Sequence, residues 1–87
     1  MLKFPYGNMI VHSTSQLGKV IRDTRKAKGL RQAELALAAG TGRRFIVELE
    51  QGKPTAQLDQ VIRVLQALGL SMDLQPLRSS PAWLQLN

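Results

Sequence analysis

Residues 32 to 51 read QAELALAAGTGRRFIVELEQ, and this stretch decides the fold. Counted from one to twenty, it has a small residue at the fifth position, Ala36, and a glycine at the ninth, Gly40. Its fourth, eighth, fifteenth and eighteenth positions are apolar: Leu35, Ala39, Ile46 and Leu49. This spacing predicts two short helices that share an apolar face, joined by a tight turn in which glycine can take a positive φ without a Cβ clash.

The spacing is that of a helix-turn-helix motif. Ala36 lies where the second helix is expected to come closest, so a larger side chain would push the two helices apart. In such motifs the N-terminal residues of the second helix contact base edges, and the first helix crosses the DNA backbone. Arg43 and Arg44 are therefore predicted base contacts, with a phosphate-only or solvated role as the alternative. Positive charge opposes the macrodipole at a helix N-terminus, which disfavours a purely structural role.

Four helices are predicted along the chain: helix 1 over 14–28, helix 2 over 32–39, helix 3 over 42–51 and helix 4 over 56–68. Thr55 is the predicted N-cap of helix 4. Apolar residues at helical spacing define the core faces of helices 1 and 4: Leu17, Val20 and Ile21 with Thr24, then Leu58, Val61, Ile62, Leu65 and Leu68.

After Gly69 the apolar period changes from helical to two, because Leu70, Met72 and Leu74 alternate with polar residues before Pro76. Such alternation predicts a half-buried strand over 70–76. The sequence MIVH at 9–12 is a second, short strand candidate. A lone strand is not stable, so it must pair with MIVH, with its copy in a second chain, or with both. We favour a sheet across the twofold axis of a homodimer, with Leu70, Met72 and Leu74 as dimerisation residues.

The chain therefore divides into an N-terminal arm or short strand (1–13), a helix-turn-helix domain (14–69), a dimerisation strand (70–76) and a flexible tail (77–87). Trp83 in the tail is either a disordered residue or an anchor for a partner.

The composition favours a polyanionic partner. The 87 residues carry twelve Lys and Arg against six Asp and Glu, a net charge of +6. Between Lys19 and Arg44 there are eight basic and two acidic residues, which equals that net charge. A concentration of this kind suggests a nucleic-acid footprint, although a solvated basic surface is the plainer interpretation.

The same composition argues against other classes of protein. There is no Cys, which excludes disulfides and thiolate zinc sites and fits a reducing cytoplasm. No apolar run approaches the roughly 20 residues that span a bilayer. Glu48 and Glu50 do not face each other on a helix, so they are not a catalytic pair; Glu50 is instead expected to pair with a base on helix 1, such as Arg25. We predict neither an enzyme nor a cofactor or metal site.

The segment from Gln16 to Gly69, with LGKVIRDTRKAKGLRQAELA, RRFIVELEQGKPT and VIRVLQALGL, resembles the XRE (Cro/C1-type) helix-turn-helix family. The strand-like LSMDLQP directly after ALGL makes the chain most similar to HipB-type antitoxins. The resemblance implies a mainly α, four- to five-helix, lambda-repressor-like DNA-binding domain. It also implies a short C-terminal β-strand, with or without an N-terminal one, forming an intersubunit sheet in a dimer.

The resemblance further implies a sequence-specific repressor of a palindromic operator on double-stranded DNA, located in the bacterial cytoplasm at the nucleoid. In the HipB version it autorepresses its operon and binds a HipA-like kinase toxin. Two alternatives stay open: a stand-alone phage-type or XRE regulator, and a protein-interaction module with incidental DNA affinity.

Site residues carried over from the family include Gln32, which contacts a phosphate and braces the recognition helix there; a solvent-facing role is the alternative. Three residues depart from the family pattern: Thr41 replaces an apolar residue, Gly42 a polar N-cap, and Val47 a frequent Ser. Val47 can offer a base only apolar contact, such as to a thymine methyl. The predicted DNA-binding set is Gln32, Gly42, Arg43, Arg44, Val47, Lys53, Arg22 and Thr55.

Overall fold

The structure, a computed structural model, describes residues 10–77. In this part of the chain it contains four helices: α1 (Thr14–Ala27), α2 (Gln32–Ala39), α3 (Arg43–Glu50) and α4 (Leu58–Ala67). The predicted mainly α fold is confirmed. The bounds of α2 are as predicted, and those of α1 and α3 differ by at most one residue at each end.

One apolar core holds the four helices together, because each helix contributes at least one fully buried side chain. These are Ile21 from α1, Leu35 from α2, Ile46 from α3 and Val64 from α4, all with no exposed surface. Helix α2 packs against both α3 and α4, while α1 packs against α3. Helix α3 therefore packs against both α1 and α2, and one of its faces stays free.

The turn between α2 and α3 has the geometry that the sequence predicts. Gly40 caps α2 in the left-handed region, with φ 72° and ψ 34°. The next amide, of Thr41, donates to the carbonyl oxygen of Ala36 at 2.9 Å, which closes the turn. The predicted apolar set of the motif and the small Ala36 are all buried: Leu35, Ala36, Ala39, Ile46 and Leu49. The helix-turn-helix prediction is confirmed.

Gly18 in α1 allows a close approach that the sequence analysis missed. A Cβ built on Gly18 would lie 2.5 Å from the carbonyl oxygen of Leu49 and 2.7 Å from that of Glu50. Both atoms belong to the backbone at the end of α3, so they could not rotate away. The missing side chain at Gly18 therefore fixes how closely α1 supports α3.

The start of helix α4 was predicted wrongly. Its N-cap is Gln57, not Thr55, and Thr55 lies in a turn that precedes the helix. Ala56 packs against the core before the helix begins, so the chain turns inward there and the first helical residue shifts to Leu58. Leu58, predicted to be core, stands in this first turn and is 62% exposed, whereas Val64 is fully buried.

Residues 70–77 belong to no helix or strand in the single chain. Leu70 is half-buried against the core, and its amide donates to the carbonyl oxygen of Leu65 at 2.8 Å. Met72 and Leu74 are 47% and 87% exposed. The strand at 70–76 and the intersubunit sheet stay predictions, since they require a second chain. Of the N-terminal arm and the tail, residues 1–9 and 78–87, including Trp83, lie outside the described residues.

Candidate nucleic-acid interface

The free side of α3 carries the side chains that were predicted to meet DNA. Arg43 and Arg44 are exposed in its first turn, and Val47, one turn further, is half-buried. Gly42 is the N-cap, with φ −81° and ψ 155°, and provides no side-chain hydrogen bond. The first turn of α3 is therefore open to an anionic ligand, both at its side chains and at its amides.

A basic groove runs beside this turn, between α1, α2 and α3. Four of the predicted DNA-binding residues meet in it: Arg22, Gln32, Arg43 and Val47. The groove is lined by Arg22, Arg25, Lys26, Arg31, Gln32, Ala33, Arg43, Val47, Glu50 and Gln51. Five of these ten are arginine or lysine and one is glutamate, so the groove carries a positive potential suited to phosphate.

A buried ion pair between Arg25 and Glu50 lies in the lining of the basic groove. Arg25 of α1 donates from Nε to Glu50 Oε2 at 2.6 Å and from Nη2 to Glu50 Oε1 at 2.9 Å. Its Nη1 donates to the carbonyl oxygen of Leu30 at 2.8 Å. The two side chains are only 9% and 4% exposed. The hydrogen bonding of Arg25 to Glu50, more than the charge of Glu50, raises the pKa of Arg25 above the ordinary value. The predicted pairing of Glu50 with Arg25 is confirmed, and it fixes α3 to α1.

Gln32 extends this pair to the exposed end of α3. Its Nε2 donates to Glu50 Oε1 at 3.2 Å, and its Oε1 accepts from Arg43 Nη2 at 3.4 Å. The amide thus contacts the last residue of α3 and also the first, since α3 runs from Arg43 to Glu50. These two contacts link Gln32 to α3, and its contact with a DNA phosphate stays a prediction.

A second charged group, the Glu48 cluster, consists of Glu48, Arg44 and Lys53. Arg44 Nε lies 3.4 Å from Glu48 Oε2, and Lys53 Nζ lies 3.2 Å from Glu48 Oε1. The hydrogen bond from Lys53, together with the weaker pairing to Arg44, lowers the pKa of Glu48. The sequence analysis gave Glu48 no partner, and the structure places it between these two cations. The spacing of four residues between Arg44 and Glu48 is the signal that could have revealed this cluster.

The remaining predicted contacts lie outside the basic groove. Thr55 is exposed in the turn before α4, and Gly42 and Lys53 are exposed at either end of α3. Arg31, which does line the groove, begins α2: Glu34 Oε1 accepts from its amide at 2.8 Å. This backbone hydrogen bond is the main reason that the pKa of Glu34 is lowered.

Among residues 10–77, no group of three or more His, Asp or Glu side chains is placed to hold a metal ion. None of the four helices is both long and apolar enough to cross a membrane.

A helix-turn-helix family model matches residues 21–75, which is more than half of the chain. The chain belongs to the XRE-type helix-turn-helix family. It is 52% identical over 64 residues to an uncharacterized HTH-type transcriptional regulator, y4mF, of Sinorhizobium fredii (strain NBRC 101917 / NGR234), covering 74% of this chain and 84% of the relative. It is also 33% identical over 63 residues to the ImmF control region 10 kDa protein of Bacillus phage phi105, covering 72% and 68%.

Among solved structures, this helix-turn-helix protein is similar to HipB. The "HipB-O4 20mer complex" superimposes with a TM-score of 0.73 at 29% identity, covering 79% of this chain and 97% of the other. The "HipA-HipB-O2-O3 complex" gives a TM-score of 0.74 at the same identity and coverage. The predicted resemblance to the XRE family and to HipB is confirmed, and the protein is a transcriptional regulator of the XRE type.

Proposed function

We propose that this helix-turn-helix protein is a sequence-specific DNA-binding repressor that reads a palindromic operator as a homodimer. The observation that carries the proposal is the first turn of α3. It exposes Arg43 and Arg44 beside a basic groove, while the far end of the same helix is tied to α1 by the Arg25–Glu50 pair. Base reading needs a helix held in a fixed position, and the ion pair holds the far end of this one while its first turn stays free to meet DNA.

Some of the DNA-binding residues contact bases and the others contact the DNA backbone. Arg43 and Arg44 donate to base edges, guanine O6 and N7 being the best acceptors for a bidentate arginine, and Val47 packs against a thymine methyl. Gln32, Arg22, Lys53 and Thr55 contact phosphates, and Gly42 lets the backbone approach the strand closely. Each phosphate that a cation neutralises releases counterions and steepens the dependence of affinity on salt.

The dimer explains how one short helix obtains specificity. Two recognition helices related by a twofold axis read half-sites about one DNA turn, roughly 34 Å, apart. Leu70, Met72 and Leu74 form the dimer contact, and the exposure of Met72 and Leu74 in the single chain supports this.

Within this function, we propose the narrower role of an antitoxin that represses its own operon and binds a HipA-like kinase toxin. Similarity to HipB, including the HipA–HipB complex, supports it. The protein would then act at the nucleoid in the bacterial cytoplasm. Co-expression with the product of an adjacent kinase-like gene tests this role: a stable complex on gel filtration supports it. A gene with no such neighbour, or a kinase that elutes separately, would identify a stand-alone regulator.

The DNA proposal is tested by selecting duplexes from a random pool and titrating the selected duplex and a random duplex at two salt concentrations. The wild-type protein should prefer the selected duplex. Arg43→Ala/Arg44→Ala should lose at least about tenfold of that preference, since each bidentate contact discriminates by about 1–3 kcal/mol. The matched control is Lys19→Ala/Lys28→Ala, which removes the same charge from exposed positions outside the basic groove.

If folded protein selects no sequence, the repressor proposal fails. If binding and repression survive the double arginine change, the recognition-helix assignment fails, and a protein-interaction module with incidental DNA affinity becomes the better description.

A further inference from the structure

We propose that Glu48 acts as an internal competitor of DNA for two cations beside the recognition helix. Its carboxylate holds Arg44 and Lys53, two of the cations offered to DNA, and so lowers the affinity for DNA of any sequence. The inference rests on the proposed function in taking double-stranded DNA as the ligand.

The geometry of the Glu48 cluster supports a competitor more than a structural brace. Each carboxylate oxygen of Glu48 pairs with a different cation. Oε2 lies 3.4 Å from Nε of Arg44, which precedes Glu48 in the chain, and Oε1 lies 3.2 Å from Nζ of Lys53, which follows it. The carboxylate is 31% exposed, Lys53 is 47% exposed and Arg44 is 91% exposed. None of the three is buried, so the pairs add little to the stability of the domain, because exposed ion pairs contribute little.

A carboxylate with two cations is chemically close to a phosphate diester with two cations. To contact DNA, Arg44 and Lys53 must each give up a charged acceptor that they already hold. The net gain from each DNA contact is therefore smaller than for a free cation. Glu48 also lies one turn along α3 from Arg44, so it brings a negative charge to the same side of the helix as the arginine.

This cost applies to random and selected DNA alike. Arg44 must leave Glu48 whether it meets a phosphate or a base edge, and Lys53 must leave it to meet a phosphate. Glu48 therefore lowers the affinity for both duplexes without touching a base, and the ratio of the two affinities changes little.

The test is Glu48→Gln, which keeps the shape of the side chain and removes its charge. Affinity for a labelled random duplex is measured across a salt series, and affinity for the duplex selected by the wild-type protein is measured beside it. We expect random-duplex binding to tighten about 3- to 10-fold at low salt, the range that two exposed ion pairs allow. The slope of log K against log salt should steepen by about one to two, since up to two more phosphates are neutralised. Selected-duplex affinity should rise by a similar factor, because the same two cations are released.

Asp59→Asn is the matched control. Asp59 is an exposed carboxylate on α4 whose partner, Arg63, is 3.9 Å away and is not a proposed DNA contact. Both changes raise the net charge by one. If the two variants tighten random-duplex binding equally, only overall charge matters and the inference is wrong.

A double-mutant cycle isolates the mechanism. In an Arg44→Ala/Lys53→Ala background, Glu48→Gln should tighten binding no more than Asp59→Asn does, because the competed cations are gone. If Glu48→Gln instead weakens the selected duplex and leaves random-duplex affinity unchanged, Glu48 reads a base directly and the competitor role is refuted. Wild-type protein that selects no sequence would overturn the repressor proposal, while the random-duplex measurements would still decide the role of Glu48.

Discussion

The Arg25–Glu50 pair is the residue-scale contact on which the interface depends most. Both carboxylate oxygens and all three guanidinium nitrogens are used, by each other, by the Leu30 carbonyl and by Gln32. A buried pair of this kind is weak evidence of net stabilisation, since two desolvated charges are costly. The pair instead fixes the position of the end of α3 relative to α1.

Removing one partner of that pair should destabilise the folded protein. Glu50→Gln leaves Arg25, which is 7% exposed, without its counter-charge. We expect the free energy of unfolding to fall by about 3 kcal/mol or more. Urea unfolding at fixed protein concentration measures this, with Asp59→Asn as the control that should change stability by less than about 1 kcal/mol. A loss at Glu50 as small as that of the control would contradict the proposed burial of the pair.

Glu48 should show its pairing in its titration. Lys53, and to a lesser degree Arg44, favour the charged form, so the pKa of Glu48 is lowered in the folded protein. Its contribution to stability is therefore present above the unfolded-state value and is lost as the pH falls through the lower folded-state value. Carboxyl NMR titration should place the Glu48 midpoint higher in Arg44→Ala/Lys53→Ala than in the wild type. Equal midpoints would show that the cluster does not persist in solution.

At the scale of the element, α3 is positioned by its neighbours and not by its own caps. Its N-cap is a glycine, and no acidic residue lies in its first turn or basic residue in its last turn. Two contacts with α1 compensate: the Arg25–Glu50 pair and the close approach at Gly18. A DNA-reading helix with cations at its N-terminus needs such support, since those charges oppose its dipole.

Gly18→Ala tests the close approach. At an open helix position alanine would stabilise by about 1 kcal/mol relative to glycine. Here its Cβ would meet the backbone oxygens of Leu49 and Glu50, so we expect a net destabilisation of about 1–3 kcal/mol instead. Thermal or urea unfolding gives the sign.

Gly42→Ala is the control for this change, because a Cβ at Gly42 meets nothing within 4 Å and its φ is −81°. Its effect should stay near 0.5 kcal/mol, the order of a weak N-cap change. A stabilising Gly18→Ala would mean that α1 and α3 are further apart than they stand here.

The uncapped start of α3 should be the most mobile part of the motif in free protein. We expect faster amide exchange from Gly42 to Phe45 than in the interior of α4. Gly42→Ser should slow exchange at the Arg44 or Phe45 amide, because the backbone there already has the extended geometry of a capping residue, as at Ser13 of α1. Exchange that is as slow as in α4 without the serine would refute the mobile turn.

In the molecule as a whole, the features that sequence patterns predicted correctly are those that local spacing determines. Helical spacing and glycine stops located α1, α2 and α3 to within a residue, and the motif spacing predicted the buried Ala36 and the Gly40 turn. Charge and position on the helices predicted the pairing of Glu50 with Arg25. These features depend on local periodicity or on a pattern shared by a family.

The predictions that were wrong or missing concern residues whose roles depend on contacts with other elements of the fold. Thr55 looked like an N-cap, but packing of Ala56 into the core delayed the helix to Leu58. Gly18 was given no role from the sequence, because only the end of α3 beside it shows why a side chain is excluded there. Glu48 could be placed on the helix but not between two cations, because Lys53 reaches it from a loop. Tertiary context decided each of these.

The dimer is the whole-molecule prediction that remains. Met72 and Leu74 are largely exposed and belong to no element of the single chain, although they follow a strand-like pattern. Met72→Asp/Leu74→Asp should therefore leave the helical domain folded, because neither side chain belongs to its core. The pair of changes should dissociate the dimer, because charges would be buried at its centre. Sedimentation should show a monomer, and circular dichroism should be unchanged.

Leu37→Asp is the matched control for this change, since Leu37 is 85% exposed on α2 and apart from the proposed contact. Loss of the dimer should weaken binding to a palindromic duplex far more than binding to a random one, because only the palindrome gains from two linked helices. If Met72→Asp/Leu74→Asp stays dimeric, the contact lies on another surface. If it unfolds, residues 70–77 contribute to the core of the single domain, and the assignment of Met72 and Leu74 to the dimer contact is wrong.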